Sequence, residues 1–237
     1  MITKHLLLCI CILLMTSCST IKNPDVSVYG ALFEMMHQGN LATRIDLNSL
    51  ENEKHIYGLG ALTDLKGEIL IIDSKPYISK ENVDGSIEIS NSFNHEAALF
   101  VESKVEKWDS TQLPKNIRSV SDLESFLESI AEEYSLDIEQ PFPFMIEGLI
   151  PSVDWHIINW PEGDTEHSHE KHVNSGLSGT LKDTPIQILG FYSKHHQAIF
   201  THHTTYLHMH LLTNDSNIAG HIDDIMFNGN QVLYLPK

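Results

Sequence analysis

From Val26 onward the spacing of apolar residues changes period several times, and each change predicts an element. "VSVYGALFEMMHQGN" places Val28, Leu32, Met35 and Met36 at helical spacing, with Gly39 as the stop, which predicts one amphipathic helix. "IYGLGALTDLKGEILIIDSKPYIS" reads as strand, turn, strand, turn, strand. Lys66-Gly67 and Asp73-Ser74-Lys75 supply the two turns. "GSIEIS" alternates apolar and polar residues, and "HEAALFVESKVEKW" also reads as extended, with a helix as the alternative. "SDLESFLESIAEEYSL" is the clearest helix. Ser121 and Glu124 have the spacing of a capping box, and Leu123, Phe126, Leu127, Ile130 and Tyr134 form one apolar stripe.

From about Pro141 the chain is strand-rich: "PFMIEGLI", "SVDWHIINW", "PIQILGFYS", "QAIFTHH", "TYLHMHLLT", "IAGHIDDIMFN" and "QVLYLP". A polar, histidine-rich loop, "PEGDTEHSHEKHVNSG", separates the second of these from the third. Short connections between strands favour antiparallel pairing. The expectation is an α+β fold of two closely packed, mostly antiparallel sheet subdomains with a few helices, at about 26–140 and 141–237.

The first residues follow another pattern. "MITKHLLLCICILLMTSC" has one lysine, an apolar run from Leu6 to Met15 and then small residues. This is the layout of a signal peptide over 1–18, too short for a span of about 20 residues. Cys18 after "LMTS" resembles a lipobox cysteine, which predicts export to the cell envelope and a lipid anchor at Cys18. Residues 19–25 would be a linker. All three cysteines, Cys9, Cys11 and Cys18, lie in this leader. Thiol catalysis and a cysteine-ligated zinc site are therefore excluded from the exported domain.

Charge removes another class. The chain has 32 Asp+Glu against 15 Lys+Arg, a net charge of −17, so no basic face is available for nucleic acid. Arg44 and Arg118 are its two arginines. An anionic substrate must then be met by lysine, histidine, backbone N–H groups or a metal.

Histidine is the chemistry this chain does carry, with 15 copies. If Thr204 to Leu212 is a strand, Leu207, Met209 and Leu211 share one face while Thr204, Tyr206, His208 and His210 share the other. Two imidazoles at that spacing can converge on one ion. His221 follows the polar turn "TNDSN", and a hairpin there brings it opposite His210 or close to it. Three neutral imidazoles with open positions form the pattern of a catalytic metal site. His202 shares the face if the strand is continuous, as a fourth ligand, a group beside the ligands, or a surface or packing residue. Chance pairing in a histidine-rich chain remains the competing reading of the spacing.

With these residues the chain resembles the bacterial acetolactate decarboxylase family. The spacing of His208, His210 and His221 is similar to that family's metal site. "YGALFEMMHQGN" resembles its first helix, "YGLGALTDLKGEILIIDSKPYIS" its glycine-rich strand block, and "GFYS" before the histidines keeps its order. The resemblance spans roughly Val26 to Asp224. It implies one Zn2+ per chain on His208, His210 and His221, in the C-terminal sheet. It further implies decarboxylation of 2-acetolactate to acetoin and CO2, with the metal as Lewis acid for the enediolate left when CO2 departs, and a homodimer. Gly67-Glu68 match the family's "G-E" turn, which implies Glu68 as the proton-transfer group.

The departures are specific. Met145 in "FMIEG" stands where the resemblance leads one to expect an arginine, and methionine cannot bind a carboxylate. "QVLYLPK" offers no counterpart to a family glutamate near the C-terminus. Candidate replacements lie in the loops, among them His169, Lys194 and His202. Two alternatives follow: a non-catalytic zinc-binding envelope lipoprotein, or a three-histidine metal enzyme acting on a related 2-hydroxy-3-oxo acid or by hydrolysis.

Overall fold

A computed structural model describes residues 22–237. The leader, with Cys18 and the expected lipid anchor, lies outside the described residues.

The first sheet is built from β1 (Val26–Tyr29), a two-residue β2 (Ile45–Asp46), β3 (Ile56–Leu62), β4 (Glu68–Ile72), β5 (Lys75–Glu81), β6 (Ile87–Ser90) and β7 (Glu96–Lys104), with helix α1 (Leu32–Gln38) between β1 and β2. Its order is β1-β7-β3-β4-β5-β6, with β2 also on β7, and every pairing is antiparallel. The helix expected from Val28 starts only at Leu32. Val28 instead pairs with Val101 of β7, because those backbone groups find a sheet edge, and Gly30 at φ 82° turns the chain before the helix begins. Gly39 ends α1 in the left-handed conformation, as expected.

The second sheet contains β8 (Trp108–Gln112), β9 (Phe142–Ile157), β10 (Leu177–Tyr192), β11 (Leu207–Thr213), β12 (Ala219–Met226) and β13 (Val232–Pro236), in the order β10-β11-β12-β9-β13-β8. "PFMIEGLI" and "SVDWHIINW" are one 16-residue strand, β9. It pairs with β10 along its length and also with β12, so the sheet closes on itself. The change of sheet falls at residues 105–107, ahead of the boundary near 140 expected from the sequence. Helix α2 (Val120–Ile130) packs Leu123 and Leu127 against the core of this sheet. Its capping box starts at Ser119 rather than Ser121: the Ser119 hydroxyl accepts from the Asp122 amide at 3.2 Å, and the Asp122 carboxylate accepts from the Ser119 amide at 3.1 Å.

"QAIFTHH" is not a strand. It coils into a turn in which the His196 carbonyl accepts from the amides of Ile199, Phe200 and Thr201. The histidine-rich loop carries a short helix, α3 (His169–Asn174), capped by the Ser168 side chain. Among the described residues no helix is long and apolar enough to cross a membrane.

The two sheets meet through a shared apolar layer. Leu59, Leu70 and Val101 of the first sheet join Met145, Leu189 and Leu212 of the second. The second sheet therefore has one face on its own core and one face on its neighbour, and that second face holds the histidines.

Candidate metal centre

Alternation along β11 does what the sequence predicted. Leu207, Met209 and Leu211 enter the core shared with α2. His208 and His210 point the other way and are buried, His210 completely. The strand begins at Leu207 rather than Thr204, so His202 is not on it. After the turn, His221 of β12 pairs directly with His210. Ring centroids of the three histidines lie 5.0–5.3 Å apart. One nitrogen from each lies within 4.8 Å of the others, so the three could hold one metal ion.

Gly220 lets β12 approach β9 this closely. A Cβ at that position would lie 2.7 Å from the His156 carbonyl oxygen. On the other side Gly67, at φ 142°, precedes Glu68, and a Cβ there would meet the Ser79 carbonyl at 2.3 Å. Those two contacts fix the strand carrying Glu68 and the strand carrying His221.

Glu68 opens β4, opposite Ala61 and Ser79, and its carboxyl crosses the gap between the sheets. One oxygen lies 3.7 Å from His210 Nε2; the other lies 3.8 Å from His156 Nε2 and accepts from the Ile158 amide at 3.3 Å. Burial pushes this carboxyl up to about 7, against the opposing pull of His156. Burial also lowers His208 to about 3 and holds His210 well below its ordinary value. Both rings are thereby kept neutral, the form that binds a metal. With three convergent nitrogens, two of them on buried, neutral rings, the donor set fits a metal ion.

His156 is the residue the sequence reading missed. It lies on β9 opposite His221, with ring centroids 4.9 Å apart. Its Nδ1 lies 2.9 Å from both carboxylate oxygens of Asp223. The register of β12 on β9 shifts between Ile222 and Asp224, so Asp223 sits at a bulge that delivers its carboxylate to His156. Burial disfavours charge on His156, but the hydrogen bond to Asp223 and the nearby Glu68 outweigh it and raise its pKa. The available signal was alternation: Val153, Trp155 and Ile157 enter the core, leaving His156 on the opposite face.

A cavity of about 690 Å³ opens onto Glu68, His156, His208, His221 and Asp223. His202 and His172 also line it. Lys194 does not reach it; its ammonium lies 3.5 Å from Glu128 and 3.8 Å from Glu139. His169 opens α3. The rest of that loop is a packed unit, with the His167 ring stacked 4.4 Å from Trp160 and Lys171 paired to Asp164 at 2.8 Å.

The alpha-acetolactate decarboxylase family model matches residues 28–235. The chain belongs to the alpha-acetolactate decarboxylase family. The fold agrees. The alpha-acetolactate decarboxylase of Bacillus subtilis strain 168 superposes with a TM-score of 0.70 at 15% identity, covering 90% of this chain and 85% of that one. A Staphylococcus aureus protein of unknown function, described as similar to alpha-acetolactate decarboxylase, gives 0.69 at 16% identity, covering 90% and 84%. No curated protein matches the chain.

Within this decarboxylase family fold, Met145 takes on a different meaning. It is buried in the layer between the sheets and does not line the cavity. Leu189 pairs with both Met145 and His210, so one strand separates the methionine from the histidines, about 10 Å at the usual strand spacing. Beside His210, the basic side chain facing Glu68 is His156, on a strand and not in either loop where a replacement was expected.

Proposed function

We propose that this family member decarboxylates 2-acetolactate to acetoin and CO2, with one Zn2+ held by His208, His210 and His221. The observation that carries this reading is the position of Glu68: a buried carboxyl with its pKa near 7, set between the histidine triad and the His156–Asp223 pair on one cavity.

A bound zinc ion would supply Lewis acidity for the negative charge that develops as CO2 leaves. The remaining work falls to the chain. When the bond to the carboxylate breaks, its electron pair moves into the neighbouring ketone, and the product takes up one proton. Burial favours the protonated form of Glu68, which can therefore carry that proton and deliver it from a carboxyl oxygen. His156, held by Asp223, presents Nε2 to Glu68 and to the cavity, so it orients the acid and meets the substrate's anionic end.

The test is zinc analysis of the purified chain, paired with acetoin formation from acetolactate. One zinc per chain with acetoin release supports the reading. Zinc without acetoin would leave a zinc-binding protein, or an enzyme for another 2-hydroxy-3-oxo acid. Export with lipid attachment at Cys18 belongs to the same proposal and rests on the leader sequence; loss of membrane attachment in Cys18→Ser tests it. The homodimer rests on the resemblance, and light scattering of the purified chain tests it.

A further inference from the structure

The cavity is much larger than an acetolactate head requires. Its volume of about 690 Å³ falls in the range that encloses ligands of drug size, and a five-carbon acid would fill only a fraction of it. Much of its lining is apolar. Helix α1 contributes five of its seven residues, the polar His37 and the apolar Leu32, Phe33, Met35 and Met36, and Leu99 adds to this apolar wall. At 100° per residue the four apolar positions spread over an arc of roughly 160°. Met35 alone of the four is fully buried, in the cluster with Leu65, Leu99 and Ile158. Phe33 is 42% exposed although it lines the cavity. The apolar arc is thus wider than the core it packs on, and the excess faces the space in front of the histidines.

That wall is fixed in place. The first two amides of α1, at Leu32 and Phe33, donate to the carbonyls of Ile199 and Ala198, both at 2.8 Å. The same turn carries Phe200, another lining residue. Methionine adapts its shape to a ligand at small cost, and an apolar surface contiguous with a polar site marks a ligand groove.

We propose that the acid handled by this protein carries an alkyl or aryl substituent larger than the methyl groups of acetolactate, seated against Phe33 and Met36 while its carboxylate and oxygens meet the histidine end. The inference rests on the decarboxylase reading only for the identity of that acid head. Apolar area removed from water supplies the selectivity.

Calorimetry on the zinc-loaded full chain tests it, using unreactive acids from 2-hydroxy-2-methylpropanoate to 2-hydroxy-2-methyloctanoate. Affinity is expected to rise by up to about fourfold per added methylene. The rise should flatten in the Phe33→Asp/Met36→Asp double variant and persist in Leu149→Asp, which changes an exposed leucine outside the cavity. Circular dichroism confirms that each variant is folded. Equal affinity along the series, or a rise that survives the double variant, would overturn the inference. Carbon dioxide release from 2-alkyl-2-hydroxy-3-oxobutanoates is the second arm. A retained affinity rise with no turnover of any acid would sink the decarboxylase reading and leave the apolar subsite standing. Turnover of acetolactate with no affinity rise would do the reverse.

Discussion

His156 and Asp223 face each other across β9 and β12, with the imidazole Nδ1 2.9 Å from both carboxylate oxygens. The carboxylate thereby sets the ring's tautomer and direction, leaving Nε2 for Glu68 and the cavity. Asp223→Asn keeps the shape and removes the charge. It should lower turnover by about 10- to 100-fold while zinc content stays at one per chain. Unchanged kcat in Asp223→Asn, with His156→Gln also active, would remove this pair from the site.

His210 is fully buried and faces both His221 and Glu68. His210→Ala should lose zinc, read by metal analysis after dialysis. His202→Ala should retain it, since His202 lies outside β11 and is not among the three convergent donors. If both variants keep full zinc, the ligand assignment is wrong.

Glu68 is held in a site that disfavours its charge. Glu68→Gln is nearly isosteric and relieves that cost. Turnover should fall by about 10²- to 10⁴-fold while the thermal midpoint stays level or rises. A variant that is both active and less stable would make Glu68 a structural residue.

Metal-free protein should lose stability on mild acidification. Burial holds His208 and His210 below their ordinary value of 6.5, and His95, His167 and His196 are shifted the same way. A lowered folded pKa gives stability that is present above 6.5 and lost as pH falls toward the folded value, because the unfolded chain takes up the proton first. His156, Glu68 and Glu102 are raised and work in the opposite sense, three groups against five, but His208 and His210, the two most deeply buried imidazoles, carry large shifts. The thermal midpoint of chelated protein should therefore fall steadily from pH 7 to pH 5. A flat profile would contradict the neutral, buried state of the two ligands.

Gly220→Ala forces a Cβ to 2.7 Å from the His156 carbonyl. Pushing β12 off β9 should destabilise the fold by about 1–3 kcal/mol in denaturant melts and weaken zinc binding together with it. Wild-type stability would show that the strands have room to part.

The sequence by itself determined the parts governed by local period. Alternation in "YLHMHLL" placed His208 and His210 on one face, and the polar turn before His221 returned the chain beside them, because a strand's side-chain period and a short hairpin need no distant partner. The same logic found the strand block from Ile56 to Glu81 and the turn before Glu68. It failed where distant pairing won. Val28 has helical spacing but joins a sheet edge at Val101, and "QAIFTHH" has a strand's composition but folds back so that three of its amides donate to the His196 carbonyl. Only the tertiary structure decided how β9 bends to meet both β10 and β12, that Met145 is filler between sheets, and that His156, Asp223 and Glu68 converge on one cavity. Those residues lie up to 155 positions apart (68 to 223), and their meeting is set by long-range strand register and a bulge, which no local pattern of apolar and polar residues encodes.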